Sequence, residues 1–253
     1  MAVTTAINLL RLLFGVHYGK DMRVVHLAYT QTNHTEYAVT KDDNLEFIWS
    51  GKSSGALVEK NWYLMVENEK VYWNQAAHLV SATVSGKRSE IAERLVDALT
   101  WFGEAAFESA PGVQIINFVA ALERLTTTES YSDHRFCSRV AMLAYNDESD
   151  FEKVYWNAYA VHSARSFVIH GVHSPTNTES SKNLRLAHDL TRWAMFRGLE
   201  LHCLLDDKGT VSSLADLQRF FDKQQSKWAL TLKKLEGELK AKKKKKGSVT
   251  HTP

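Results

Sequence analysis

Apolar residues recur at helical spacing through most of the chain after Gly86, and this pattern limits the fold more than any other feature. Ile91, Leu95, Leu99 and Phe102 fall on one face of a helix, at intervals of three or four residues. The chain contains only three prolines, so little in it interrupts long helices. We therefore predict helices over 87–108, 112–126, 133–145, 150–170, 182–204 and 212–240.

The chain before Gly86 has a different pattern. Between residues 22 and 73, short runs rich in β-branched and aromatic residues are separated by turn-forming Asn, Asp, Gly and Ser. The runs are Met22–Tyr29, Glu36–Val39, Leu45–Trp49, Trp62–Val66 and Lys70–Trp73. They predict a small antiparallel sheet of four or five strands. Residues 3–14 are predicted as a short buried helix or a packed N-terminal arm.

Together these patterns predict an α+β fold, in which a small antiparallel β-rich N-terminal region precedes an antiparallel α-helical bundle. The predicted parts are a β-rich region over 1–86, a helical bundle over 87–210, a C-terminal helix over 211–240 and a basic disordered tail over 241–253. Apolar residues of the C-terminal helix lie close to heptad positions. Gln224 and Thr231 fall in the same seam, so a coiled coil is only half supported.

Charge is distributed unevenly along the chain. The net charge of +2 includes a local +8 between Arg219 and Gly247, with 11 Lys and Arg against 3 Asp and Glu, so the remainder carries −6. A generally basic nucleic-acid-binding body is therefore excluded. Lys242, Lys243 and Lys244 are predicted to bind RNA phosphates, and the competing interpretation of this run is a solvated, disordered end.

Two cysteines, Cys137 and Cys203, are too few for a disulfide framework, and they do not predict a cysteine-based zinc site. No apolar run approaches the length of a membrane span, and residues 3–16 lack the basic start and cleavage site of a signal peptide. These features predict a cytoplasmic location without membrane association. We predict no cofactor and no metal.

The predicted helix over 150–170 ends in Arg165, four further residues, His170 and Gly171. The guanidinium of Arg165 is a permanent cation whose planar set of donors suits phosphate. The imidazole of His170 belongs to the residue type that titrates near neutral pH, which suits proton transfer. Gly171 can adopt the left-handed conformation that closes a helix. We therefore predict an active site that acts on a phosphodiester without a metal.

Three segments of the predicted bundle share their order and spacing with one known superfamily. They are Phe118–Leu125, Ser138–Leu143 and Tyr159–Gly171. Between about residues 110 and 205 the chain resembles a HEPN domain of the Apea-like branch. The resemblance implies a metal-independent endoribonuclease of antiphage defence or toxin–antitoxin pairs, with Arg and His contributed by two facing copies. Many members carry Asn, Asp or His after the Arg, whereas this chain has Ser166.

RNA supplies its own nucleophile, the 2′-hydroxyl, so its cleavage needs a base, an acid and charge stabilisation on the phosphorane. His170 can act as base or acid, and Arg165 can neutralise the non-bridging oxygens. One histidine is too few for both proton transfers, and the two residues lie about 140° apart around a regular helix. A homodimer brings two copies of each into one cleft. The expected products have 2′,3′-cyclic phosphate and 5′-hydroxyl ends.

Four further side chains have predicted roles near this pair. Ser166 could bond phosphate or fix an imidazole. Glu123 could orient Arg139 or Arg165, or lie on an exposed helix face. Tyr159 is expected in packing, with base stacking as the minor alternative. Arg139 is predicted to bind RNA.

Other interpretations stay open on the sequence alone. Arg165 could form a surface ion pair while His170 caps the helix. The chain could be a catalytically inactive HEPN dimer that binds RNA or protein, or a structural bundle that joins partners through the C-terminal helix. His170 and His173 with His188 or Asp189 could form a metal site. A toxin-like nuclease would also have a regulatory or antitoxin partner, and the β-rich region could sense a trigger.

Overall fold

The computed structural model describes residues 1–18, 37–41, 44–48, 67, 70–108, 110–129, 132–145, 147–176, 178–203 and 212–249. Most of these residues lie in helices, and a 3₁₀ turn, Glu148–Asp150, leads into α6. The helices are α1 (Ala2–Tyr18), α2 (Lys70–Val84), α3 (Glu90–Phe107), α4 (Pro111–Thr126), α5 (Asp133–Ala144), α6 (Phe151–Ile169), α7 (Thr178–His202), α8 (Leu214–Lys227) and α9 (Ala229–Val249).

The predicted α+β class is wrong, because the packed fold of the described residues is a helical bundle. Helices α1 and α2 occupy both ends of the region predicted to be β-rich. The predicted strand Lys70–Trp73 is the first turn of α2. Tyr72 stands 4.5 Å from the ring of Phe196 on α7, and this packing favours helix over the strand propensity of aromatic residues.

Strands in the described residues are limited to β1 (Tyr37–Lys41) and β2 (Asn44–Ile48), which pair antiparallel with Tyr37 opposite Ile48. A two-stranded hairpin is too small to form a stable sheet by itself. Of the predicted sheet of four or five strands, the described residues contain only this hairpin. The predicted strands over 22–29 and 62–66 lie outside the described residues.

The core follows the helical periodicity that the sequence shows. Leu95, Leu99 and Phe102 on α3 are fully buried and face α4 and α7. Arg94 on the first turns of α3 donates to the carbonyl of Arg124 at the end of α4, so these two helices run antiparallel. Burial of each large apolar side chain contributes about 1.5–3 kcal/mol, which is what holds the bundle together.

The predicted C-terminal helix is divided at Trp228 into α8 and α9. The indole of Trp228 stacks on Phe151 at a centroid distance of 4.1 Å, and this contact turns the chain back along the bundle. Phe221 and Leu235, which lie near heptad positions, are buried in the core of the same chain. Helix α9 then continues through the lysines to Val249, where the sequence predicts a disordered tail from residue 241.

None of the helices in the described part of the chain combines the length and the apolar character needed to span a bilayer.

Candidate active site

The end of α6 is closed by a regular C-terminal motif that presents His170 at the surface. His170 is the C-cap residue and is exposed, and its N–H donates to the carbonyl of Ser166 at 3.0 Å. Gly171 has φ +70°, and its N–H donates to Val168 at 3.1 Å. The N–H of Val172 donates to Phe167 at 2.9 Å, which completes a Schellman motif. Gly171 therefore takes the left-handed conformation expected from the sequence.

Arg165 lies about one and a half turns before His170 and pairs with a carboxylate from another helix. Its Nη1 stands 3.4 Å from Oε1 of Glu123 on α4, and both side chains are about one-quarter exposed. The Nε of Arg165 finds no hydrogen-bond partner within the described part of the chain. Of the two arginines that Glu123 could orient, the structure pairs it with Arg165. Among the described residues this cation has one ion pair, and because its Nε is buried, only the outer nitrogens of the guanidinium could reach a ligand.

Three exposed apolar side chains surround the end of α6. They are Phe167, Ile169 and Val172, here called the apolar rim. The ring of His173 lies 5.1 Å from that of Phe167. Single exposed apolar side chains are ordinary on a protein surface, whereas three within six residues make the end of α6 a candidate contact surface.

His162, one turn before Arg165, is a buried neighbour that the sequence did not single out. Its Nδ1 lies 3.9 Å from Oδ1 of Asp133 on α5. Burial lowers the pKa of His162, the nearby Asp133 carboxylate raises it, and the charge of Arg165 lowers it further. The net direction is downward, so this imidazole is neutral near pH 7 and adds no positive charge beside Arg165. Its only sequence signal is its place on the buried face of α6.

The basic end of α9 lies along α6. The Nζ of Lys242 stands 3.5 Å from the ring centroid of Trp156, and Lys243 pairs with Asp133. Lys244 is exposed. Tyr159 is half-buried and packs edge-on against Trp156 with ring centroids 5.9 Å apart. The fold thus brings the predicted lysines beside the helix that carries Arg165, while Tyr159 has the packing contact expected of it.

The guanidinium of Arg139 is buried and is therefore not accessible to RNA. Its guanidinium donates to the carbonyl of Thr126, to Oγ1 of Thr128 and to Oε1 of Gln218, each at 2.8 Å. It also pairs with Glu129 at 3.2 Å and lies 4.8 Å from the ring of Phe221. Burial lowers the pKa of Arg139, and the neighbouring Arg135 adds to this. The predicted RNA-binding role therefore does not fit this residue, which joins α4, α5 and α8 instead.

The alternative metal site at the end of α6 is not assembled in the described residues. His188 is buried against Phe102 and Phe118 on the other side of α7, and its Nδ1 contacts Asp189 at 3.0 Å. A set of three metal-ligating side chains does occur elsewhere in the described residues, at His78, His202 and Cys203. Ser166, the remaining predicted site residue, is half-buried on the last turn of α6.

Compared with protein-family models, with curated proteins and with solved structures, the chain matches none. The HEPN expectation therefore depends on the residues that carry the resemblance and on the geometry at the end of α6.

Proposed function

We propose that this chain is a metal-independent endoribonuclease of the HEPN type, with a site formed by Arg165 and His170 from two copies of the chain. The observation that carries the proposal is the surface end of α6. There an exposed imidazole follows a partly exposed guanidinium by five residues, inside a rim of exposed apolar side chains. Cytoplasmic RNA is the proposed substrate, in antiphage defence or in toxin-like cleavage.

The proposed reaction begins with attack of the 2′-oxygen on the adjacent phosphorus. One His170 accepts the proton of the 2′-hydroxyl as the new O–P bond forms. The second His170 donates a proton to the 5′-oxygen as its bond to phosphorus breaks. The two Arg165 side chains neutralise the non-bridging oxygens while negative charge develops on them. The products are a 2′,3′-cyclic phosphate and a 5′-hydroxyl, and the two histidines have exchanged protonation states.

Glu123 is a positioning residue in this proposal. Its carboxylate holds Nη1 of Arg165 at 3.4 Å, which leaves other guanidinium donors for a phosphate. An ion pair of this length that is about one-quarter exposed is weak, because water screens it. A phosphate can therefore share or displace the contact at small cost.

The apolar rim supports the homodimer. A two-fold contact places the same surface of both copies together, so each rim would be buried against the other. That contact would also bring both His170 residues into one cleft, which two proton transfers require. The lysines of α9 would extend the positive surface along the flank of α6 and bind RNA phosphates on either side of the cut.

A second candidate function is a catalytically inactive HEPN dimer that binds RNA or protein. The specific observation in its favour is the Glu123 carboxylate, which already neutralises much of the charge on Arg165. If this pair persists when RNA binds, the phosphorane has no cation and the site cannot cleave.

Cleavage of end-labelled RNA in the presence of EDTA tests the proposal. Arg165→Ala should lower the rate about 10²–10³-fold, as loss of a group that stabilises developing charge does. His170→Ala should lower it about 10²–10⁴-fold, as loss of a general acid or base does. Arg219→Ala is the matched control, because Arg219 is an exposed arginine of α8 with one ion pair.

The outcomes separate the candidates. Cleavage that survives chelation, leaves cyclic phosphate ends and is lost in both variants but not in Arg219→Ala supports the nuclease. Cleavage that requires an added divalent metal, or that neither variant weakens, contradicts it. RNA binding without cleavage by the unaltered protein, weakened in Arg165→Ala, points to the inactive binding module.

A further inference from the structure

Two histidines and a cysteine meet at the end of α7, away from the candidate active site. His78 projects from α2, His202 is the last residue of α7 and Cys203 follows it directly. One ligand atom from each of the three lies within 4.8 Å of the others. The Nδ1 of His78 and the Nε2 of His202 are 3.4 Å apart.

That nitrogen separation is the one that a tetrahedral metal imposes. Zinc–nitrogen bonds of about 2.0–2.1 Å place two nitrogen ligands about 3.3–3.4 Å apart. A zinc–sulfur bond of about 2.3 Å places sulfur about 3.6 Å from each nitrogen. The imidazole nitrogens therefore already stand at ligand distance, and the sulfur of Cys203, within 4.8 Å of them, would have to move closer.

Within the described residues His202 has one hydrogen bond, a long one of 3.4 Å between its Nε2 and Nδ1 of His78. The residue is only 4% exposed, and its Nδ1 finds no hydrogen-bond partner within the described part of the chain. A metal bound at Nε2 would replace the long contact to His78 with a coordinate bond, and Nδ1 would then carry the ring proton. The Sγ of Cys203 has only a weak contact, 3.3 Å from the carbonyl of Gln75.

We propose that His78, His202 and Cys203 bind one transition-metal dication of the zinc class, with the fourth position open to water. Two imidazoles and a thiolate are ligands for Zn²⁺ and its neighbours in the transition series. Ca²⁺ and Mg²⁺ require oxygen ligands, and the set contains no carboxylate. His78 is exposed, which gives the ion access from solvent. Binding releases the thiol proton of Cys203 as the metal–sulfur bond forms.

The metal would fasten α2 to the bundle. His78 and His202 are 124 residues apart in sequence and belong to two different helices. The site lies at the far end of α7 from the loop that carries His170. The 25 residues of α7 span roughly 37 Å at 1.5 Å per residue, so the ion would take no part in the proposed RNA cleavage.

Cobalt binding to the tag-free full chain, after treatment with a chelator, tests the proposal. One Co²⁺ per chain should bind, with the visible absorption of tetrahedral cobalt and a thiolate-to-cobalt charge-transfer band. Zn²⁺ should displace it and raise the melting temperature. His78→Ala and Cys203→Ser should each weaken binding at least about tenfold, and Cys203→Ser should also remove the charge-transfer band.

Two matched variants serve as controls. Cys137→Ala removes the other cysteine of the chain, and His170→Ala removes an exposed histidine outside the cluster. Both should keep the affinity and the spectrum. His78 carries the decisive test, because its replacement at the surface leaves the core intact. Failure of the unaltered protein to bind Co²⁺ or Zn²⁺, binding without the thiolate band, or unchanged binding in His78→Ala would overturn the proposal.

Discussion

The corner around Arg139 and the end of α6 each hold an arginine on neighbouring helices, yet the two cations have different surroundings. The side chain of Arg139 is 6% exposed and donates to four acceptors from three parts of the chain. The side chain of Arg165 is 27% exposed and has one ion pair at 3.4 Å. From the sequence alone, RNA contact was predicted for both arginines.

The difference shows what makes an arginine available to a substrate. When internal acceptors use most of its donors, a buried guanidinium stabilises the fold, and its removal leaves several polar groups unsatisfied. When one carboxylate holds the guanidinium and solvent reaches it, the remaining donors can bind phosphate. Substitutions at matched positions test this difference between the two arginines.

The largest expected effect is a loss of stability when Arg139 is replaced. Arg139→Ala should lower the free energy of unfolding by about 3 kcal/mol, because it removes four hydrogen bonds and leaves the Thr126 carbonyl without this donor. Arg165→Ala should cost less than about 1 kcal/mol, as expected for a partly exposed ion pair at 3.4 Å. Urea unfolding followed by circular dichroism measures both. Equal losses would remove the distinction between the two arginines.

Two glycines in the same backbone conformation allow the effect of the α6 end on cleavage to be separated from its effect on stability. Gly171 has φ +70° and Gly86, just after α2, has φ +69°, and an added Cβ would meet nothing within 4 Å at either. Alanine at each position should therefore cost about 1–2 kcal/mol, the price of the left-handed conformation. Only Gly171→Ala should also slow RNA cleavage, because it shifts the adjacent His170. Matched melting curves and cleavage rates check this, and an equal slowing in Gly86→Ala would contradict it.

Acid should weaken the fold through protonation of the buried His162. Burial lowers the pKa of His162, and Asp133, Arg165, Glu123 and Lys243 are the charges around it. The unfolded chain therefore takes up a proton at higher pH than the folded one. Stability contributed by the neutral ring is complete above the ordinary value of about 6.5 and is lost as pH falls below it.

Urea midpoints measured between about pH 7.5 and pH 5.5 bracket that ordinary value. His162→Leu should make the decline shallower, and the slope that remains should come from His134 and His202, whose pKa values burial also lowers. A slope that stays the same in His162→Leu would show that other groups control the acid sensitivity.

The smallest effect is expected from the lysines on α9. Each phosphate contact to single-stranded RNA contributes about −0.7 to the slope of log K against log salt concentration. Lys244→Ala should reduce the slope by about that amount, and Lys223→Ala, an exposed lysine of α8, should leave it unchanged. Fluorescence anisotropy over a salt series measures both. Equal slopes for all proteins would remove α9 from the RNA surface.

Sequence periodicity predicted the bundle where packing and propensity agree. The face containing Leu95 and Leu99 is buried as expected, and α6 ends at the predicted glycine. The prediction was wrong at Lys70–Trp73, because aromatic and β-branched residues favour strands locally while their packing on α7 places them in a helix. The pattern of residues within a short segment does not predict which distant helix a side chain will contact.

The same limit applies to the sites. The sequence placed Arg165, His170 and Gly171 together because all three lie within seven residues at one helix end. It could not separate Arg139 from Arg165, since burial depends on α8, about 80 residues away. It also missed the cluster at His78, because its second and third members come more than 120 residues later, and two cysteines alone suggest no metal.

Disulfide formation between two copies at the apolar rim tests the central claim most directly. Val172→Cys places a thiol two residues after His170 on an exposed position, and Leu230→Cys on α9 is a control at a position that is even more exposed. Under mild oxidation we expect Val172→Cys to form a covalent dimer much faster than Leu230→Cys or the unaltered protein, and the dimer to keep cleaving RNA. A protein that is monomeric by light scattering, with equally slow cross-linking at both positions, would contradict the shared site.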